Sequence, residues 1–90
     1  MLFMVIERYR DGNAKAIYSR YQEKGRMLPD GLRYIDSWVE ANYDRCFQLM
    51  ECDDPNLFQQ WVAEWRDLVD FEIIPVVGSK EAAEIIARLP

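Results

Sequence analysis

The chain has no histidine and only two cysteines, Cys46 and Cys52. Without histidine the usual Cys–His partnership for nucleophilic catalysis cannot form, and a histidine-ligated haem is excluded. If both cysteines lie on one strand, their six-residue separation places them roughly 20 Å apart. That is too far for an intrachain disulfide, and unbridged cysteines fit a reducing compartment. Basic residues are also scarce. Eleven Lys and Arg stand against sixteen Asp and Glu, for a net charge of −5, and they form no run. Phosphate-backbone binding needs clustered positive charge, so nucleic acid is not an expected partner. No apolar stretch approaches the ~20 residues of a membrane-spanning helix. The opening run Met1 to Ile6 is too short for a signal peptide and meets Glu7 without a preceding basic region. Neither a membrane partner nor secretion is expected; the cytoplasm is.

What the chain does have is apolar surface. Half of its 90 residues are hydrophobic and 13% are aromatic. That length makes one domain, residues 1–90, which buries only about 60% of the surface its unfolded form exposes. The excess points to a subunit interface.

Period and punctuation divide the chain into strands and helices in the order βαββαβ, with one further helix. Leu2 to Ile6 reads as a strand apolar on both faces, hence covered on both sides. Asp11-Gly12-Asn13 turns the chain and offers an N-cap. Ala14, Ile17, Tyr18 and Tyr21 then form a helical stripe, which Gly25 is placed to end. Leu32 to Val39 and Arg45 to Glu51 read as strands joined by the hairpin-like Ala41-Asn42-Tyr43-Asp44. Asp54-Pro55 marks a helix start, followed by the stripe Phe58, Trp61, Val62 and Trp65. Phe71 to Val77 is a fourth strand, and Pro75 suggests an edge position or a bulge. Gly78-Ser79 opens a last helix with the stripe Ala82, Ile85, Ile86 and Leu89. Two helices on one face of a four-stranded sheet leave the other face bare. A bare face this apolar predicts a homodimer through the sheets.

Pairing Trp38 with Cys46 across the hairpin sets Asp36 opposite Gln48 and Tyr34 opposite Met50. One face then holds Tyr34, Asp36, Trp38, Cys46, Gln48 and Met50, and the other Ile35, Leu49, Ser37 and Phe47. The first set is expected on the helix-free face, as the wall of a ligand pocket between sheet and partner. Asp36 is the candidate base, desolvated between aromatics and bonded to Gln48. The plainer reading of the same cluster is an interface whose polar groups satisfy each other. Cys46 reads as a buried apolar cysteine rather than a nucleophile, and Trp61 and Trp65 as core. Arg26-Met27-Leu28 reads as a loop packed across a helix end, or else as a lip over a pocket. Glu51, Asp53 and Asp54 match no metal-loop motif, so no metal is expected.

The segments Gly25-Arg26-Met27-Leu28-Pro29-Asp30-Gly31-Leu32, Asp36-Ser37-Trp38 and Cys46-Phe47-Gln48-Leu49-Met50-Glu51 resemble a family of small bacterial proteins classed as a domain of unknown function. Trp61, Trp65 and Asp70-Phe71-Glu72 through Pro75 extend the resemblance to Val77. It implies a ferredoxin-like α+β fold in the dimeric α+β barrel group. That group includes cofactor-independent monooxygenases, muconolactone isomerase-like enzymes and haem-dependent chlorite dismutase relatives. The family brings no catalytic residues, and fold analogy alone does not transfer an activity. The expectation is a cofactor-free, dimeric module that binds a small molecule. The alternative is a cofactor-independent monooxygenase- or isomerase-like enzyme acting on a small aromatic substrate.

Overall fold

The computed structural model describes residues 1–90. Strand β1 (Leu2–Tyr9) leads through a turn to helix α1 (Ala14–Lys24), strand β2 (Arg33–Val39) and strand β3 (Arg45–Glu51). Helix α2 (Leu57–Ala63), strand β4 (Val69–Val76) and helix α3 (Ser79–Ala87) complete the chain. The four strands form one sheet in the order β2-β3-β1-β4, with antiparallel pairing throughout. This is the ferredoxin-like α+β fold expected from the pattern. Asn13 caps α1, its side chain accepting from the Ala16 N–H at 3.2 Å. Pro75 lies on an edge strand, where a missing ladder donor is tolerated. Both cysteines are free and buried.

Side-chain alternation decides which face the helices cover. Phe3, Val5, Glu7 and Tyr9 of β1 are buried, as are Cys46, Gln48 and Met50 of β3. They pack beneath Ile17 of α1 and Phe58 and Trp61 of α2. Phe3 meets Phe58 edge to face at 4.9 Å, and Trp61 meets Phe71 at 5.2 Å. Arg20 ties α1 to the turn after α2 by a two-point bond to Asp67. The open face carries the alternate residues: Phe47 opposite Ile6, Leu49 opposite Met4, and Ile74 beyond Met4.

Two expectations are corrected here. Tyr34, Cys46, Gln48 and Met50 lie under the helices, not on the helix-free face. The register of β2 on β3 also holds only at its start. Arg33 pairs with Glu51 and Tyr34 with Met50, but an irregularity at Ile35 then shifts the ladder. Asp36 falls opposite Leu49, Ser37 opposite Gln48, and Trp38 opposite Phe47. One extra residue in a strand moves every following side chain to the other face. Asp36 and Trp38 therefore sit on the open face and Ser37 on the covered one, and Asp36 does not meet Gln48.

Helix α3 buries none of its residues: Ile85 and Ile86 are 53% and 66% exposed. No helix of the chain is long and apolar enough to cross a membrane.

The face assignment has a direct test. Met50→Lys puts a charge where Met50 is wholly buried, and it should destabilise the domain by about 4 kcal/mol or abolish folding. Leu49→Lys, one residue away on the open face, should leave a cooperatively folded domain. Chemical denaturation followed by circular dichroism compares them; equal losses would contradict the assignment.

Candidate functional site

The segment between α1 and β2 is irregular, yet it is held firmly. Gly25 ends α1 at φ 68°, ψ −160°, a conformation that glycine adopts without a Cβ penalty. Its N–H donates to the Tyr21 carbonyl at 2.7 Å. Met27 also has a positive φ, 59°. Between them, the Arg26 carbonyl accepts from two indoles: Trp61 Nε1 at 2.9 Å and Trp65 Nε1 at 3.0 Å. Residues four apart in a helical turn share a face. Buried indole N–H groups need acceptors, and one carbonyl oxygen has two lone pairs. The two tryptophans thus spend their polar atoms on fixing a single backbone position.

With its carbonyl fixed, Arg26 sends its side chain back over the sheet. The guanidinium carbon lies 3.6 Å from the Tyr34 ring centroid and 5.1 Å from that of Tyr21. Arg26 Nε donates to Gln48 Oε1 at 3.3 Å, and Nη1 donates to the Tyr21 hydroxyl at 3.2 Å. Gln48 Nε2 in turn donates to Glu7 Oε1 at 2.6 Å. The amide orientation follows from chemistry, because a guanidinium only donates and Gln48 must turn its oxygen toward it. The result is a buried relay, Arg26 to Gln48 to Glu7.

Burial raises the Glu7 pKa above its ordinary value; bonds from Gln48 and Cys46 and the Arg26 charge oppose this without reversing it. The Cys46 thiol is pushed up to about 12, first by burial and then by Glu7 beside it. A thiol so protonated is not a nucleophile. Burial also raises the Tyr9 phenol, with Cys46 and Tyr18 adding to it.

This relay forms one wall of a cavity of about 110 Å³ between the sheet and helices α1 and α2. Ile17, Tyr18 and Tyr21 of α1 close it from above, with Trp61 and Trp65 at its side. Tyr9, Val39 and Ser37 join Glu7, Gln48 and Cys46 along the sheet. At ~30 Å³ per water the space holds about four water-sized groups. It is well below the ~300 Å³ at which drug-sized pockets begin. A guanidinium at one end, a fixed amide in the middle and a buried carboxyl of raised pKa at the other can orient a small polar molecule.

Of the residues singled out from sequence, Gln48 and Cys46 line this cavity, Tyr34 backs it by stacking under Arg26, and Met50 lies in the core nearby. Asp36 and Trp38 do not join them. Asp36 is exposed, its carboxylate accepting from the Ser37 N–H at 2.8 Å, and Trp38 is 53% exposed. Glu7 was the missed member, and Arg26, expected mainly as part of a loop packed across a helix end, with a pocket lip as the other reading, lines the cavity. Glu7 shares the two-residue period of Phe3, Val5 and Tyr9, which places it on the buried face. For Arg26 the signal was the two apolar residues beside it in a loop, Met27 and Leu28. Glu51 is bonded to Arg33 and Asp54 caps the turn before α2; no acidic or thiol cluster suited to a metal is present.

The whole chain, residues 1–90, matches the family model described as Domain of unknown function (DUF3303). The chain belongs to that family. No curated protein and no solved structure matches it.

Glu7→Gln isolates the buried carboxyl. Below the ordinary value of 4.5 Glu7 is protonated in both folded and unfolded chains. As pH rises through that value, the unfolded chain releases the proton while the folded one keeps it, so folding loses stability until the folded carboxyl also ionises. Glutamine has no such loss. The stability of Glu7→Gln relative to the native chain should increase with pH from about 4 and level off above the raised pKa. Denaturant midpoints across that range would show a constant difference if Glu7 were not desolvated.

Proposed function

We propose that this protein binds a small molecule in the cavity beneath α1 and α2, and does so as a homodimer paired through its open sheet faces. The observation that carries the binding reading is the Arg26–Gln48–Glu7 relay. Polar side chains are costly to bury, and here three of them converge on empty space lined by aromatic groups. A purely structural network would be packed over. The ligand space lies under the chain's own helices, rather than between sheet and partner as expected from sequence. Two free buried thiols fit a reducing, cytoplasmic setting.

The enzyme reading has less support. Asp36, the expected base, faces away from the cavity. At about 110 Å³ the space is smaller than the ~150 Å³ apolar cavity known to admit benzene, which favours a ligand smaller than an aromatic substrate.

The dimer rests on the apolar rows of the open face and on the bare stripe of α3. The radius of gyration of the single chain, 15.1 Å, exceeds the ~12 Å of a compact chain of this length. Sedimentation equilibrium at micromolar concentration should give twice the 10.7 kDa chain mass, and Leu49→Lys should reduce it to the monomer. A monomeric native chain would remove this part of the proposal.

Binding is tested with acetate, acetamide, 1-propanol and ethylammonium as probes, each small enough for the cavity. At least one should shift the Trp61 and Trp65 indole N–H resonances while leaving Trp38 unmoved. If none does at millimolar concentration, the cavity is not a binding site.

A further inference from the structure

We infer that the cavity takes a small monocarboxylate, with Arg26 as its counter-ion. The inference rests on the binding reading above and narrows it to one ligand class.

Arg26 is the only cation at the cavity wall. Arg10, Arg20, Arg33 and Arg45 each pair with a carboxylate at 2.6–2.8 Å. Arg26 pairs with none. Its two hydrogen bonds go to neutral oxygens and are long, 3.3 Å to Gln48 and 3.2 Å to Tyr21, and its Nη2 donates to no protein atom. A guanidinium presents five donors in a planar fork that matches a carboxylate. Here most of that capacity is unspent, in a partly buried setting where charge-assisted bonds are strong.

The one acid in the cavity does not fill this role. Glu7 is separated from Arg26 by the Gln48 amide, whose oxygen accepts from Arg26 and whose nitrogen donates to Glu7. Burial raises its pKa, and no carboxylate, Glu7 included, bonds Arg26 directly. Tyr34 and Tyr21 stack against the guanidinium and keep it from swinging to solvent. The remaining lining is apolar and aromatic, suited to a short hydrocarbon tail. The size admits acetate or propionate and little more.

Propionate and its neutral isostere propionamide separate charge from shape. Titrated into the native protein and followed at the Trp61 and Trp65 indole resonances, propionate should bind about tenfold tighter than propionamide or better. Arg26→Gln should remove that preference. Because the indoles bond to the Arg26 main-chain carbonyl, this variant keeps the loop anchored, and unchanged indole shifts in its ligand-free spectrum verify that. Arg26→Lys keeps the charge and should retain part of the preference. If propionamide binds as well as propionate, or Arg26→Gln leaves the preference intact, the carboxylate assignment is overturned while the binding site stands. If neither compound, nor 1-propanol, moves the indoles, both the assignment and the binding reading fall.

Discussion

Two indole N–H groups converge on the carbonyl oxygen of Arg26, and the arrangement of the site follows from that point. The tryptophans come from α2 and the turn that follows it, the carbonyl from the loop after α1, so the bonds tie the two helical segments together across the sheet. Each such bond is worth about 0.5–1.5 kcal/mol net, modest beside the burial of the rings. Their larger effect is geometric. They hold a loop with positive φ at Gly25 and Met27 in one conformation, and that conformation aims the arginine side chain inward.

Aimed inward, a guanidinium must find partners or stay wet. The sheet answers with Gln48, a side chain able to accept on one edge and donate on the other. Its donating edge meets Glu7, whose carboxyl is tolerated at 8% exposure because it is hydrogen-bonded and because burial raises its pKa, easing the cost of its charge. Acid and base therefore share a cavity without forming an ion pair. A direct Arg–Glu bridge would have spent both groups and left nothing for a ligand.

Much of the fold was legible in the sequence. The i, i+3, i+4, i+7 stripes located α1 and α2, Asn13 and Gly25 bounded the first, and Pro75 marked an edge strand. The faces of the sheet were not legible, for a physical reason. Strand β1 is apolar on both sides, and β3 offers Phe47 and Leu49 one way against Cys46, Gln48 and Met50 the other, so polarity alone points to the wrong side. The Ile35 irregularity carries no glycine or proline to announce it, yet it sends Asp36 and Trp38 away from Tyr34. Glu7 could have been recognised, since it keeps step with Phe3, Val5 and Tyr9. Arg26 was legible only as one side of an open alternative, a packed loop or a pocket lip: the choice depends on which acceptor the two indoles take, and that is settled only by the packed structure.

The central claim is that Trp61 and Trp65 both bond to one fixed carbonyl, and hydrogen exchange at the indole nitrogens tests it without any substitution. Three indole N–H signals are expected, one for each of Trp38, Trp61 and Trp65. Those of Trp61 and Trp65 should persist in deuterated buffer, with nearly equal protection, because both open only when the loop leaves α2. The Trp38 signal should be lost far faster. Exchange of all three at the same rate, or protection of one cavity indole without the other, would contradict the shared anchor and the site built on it.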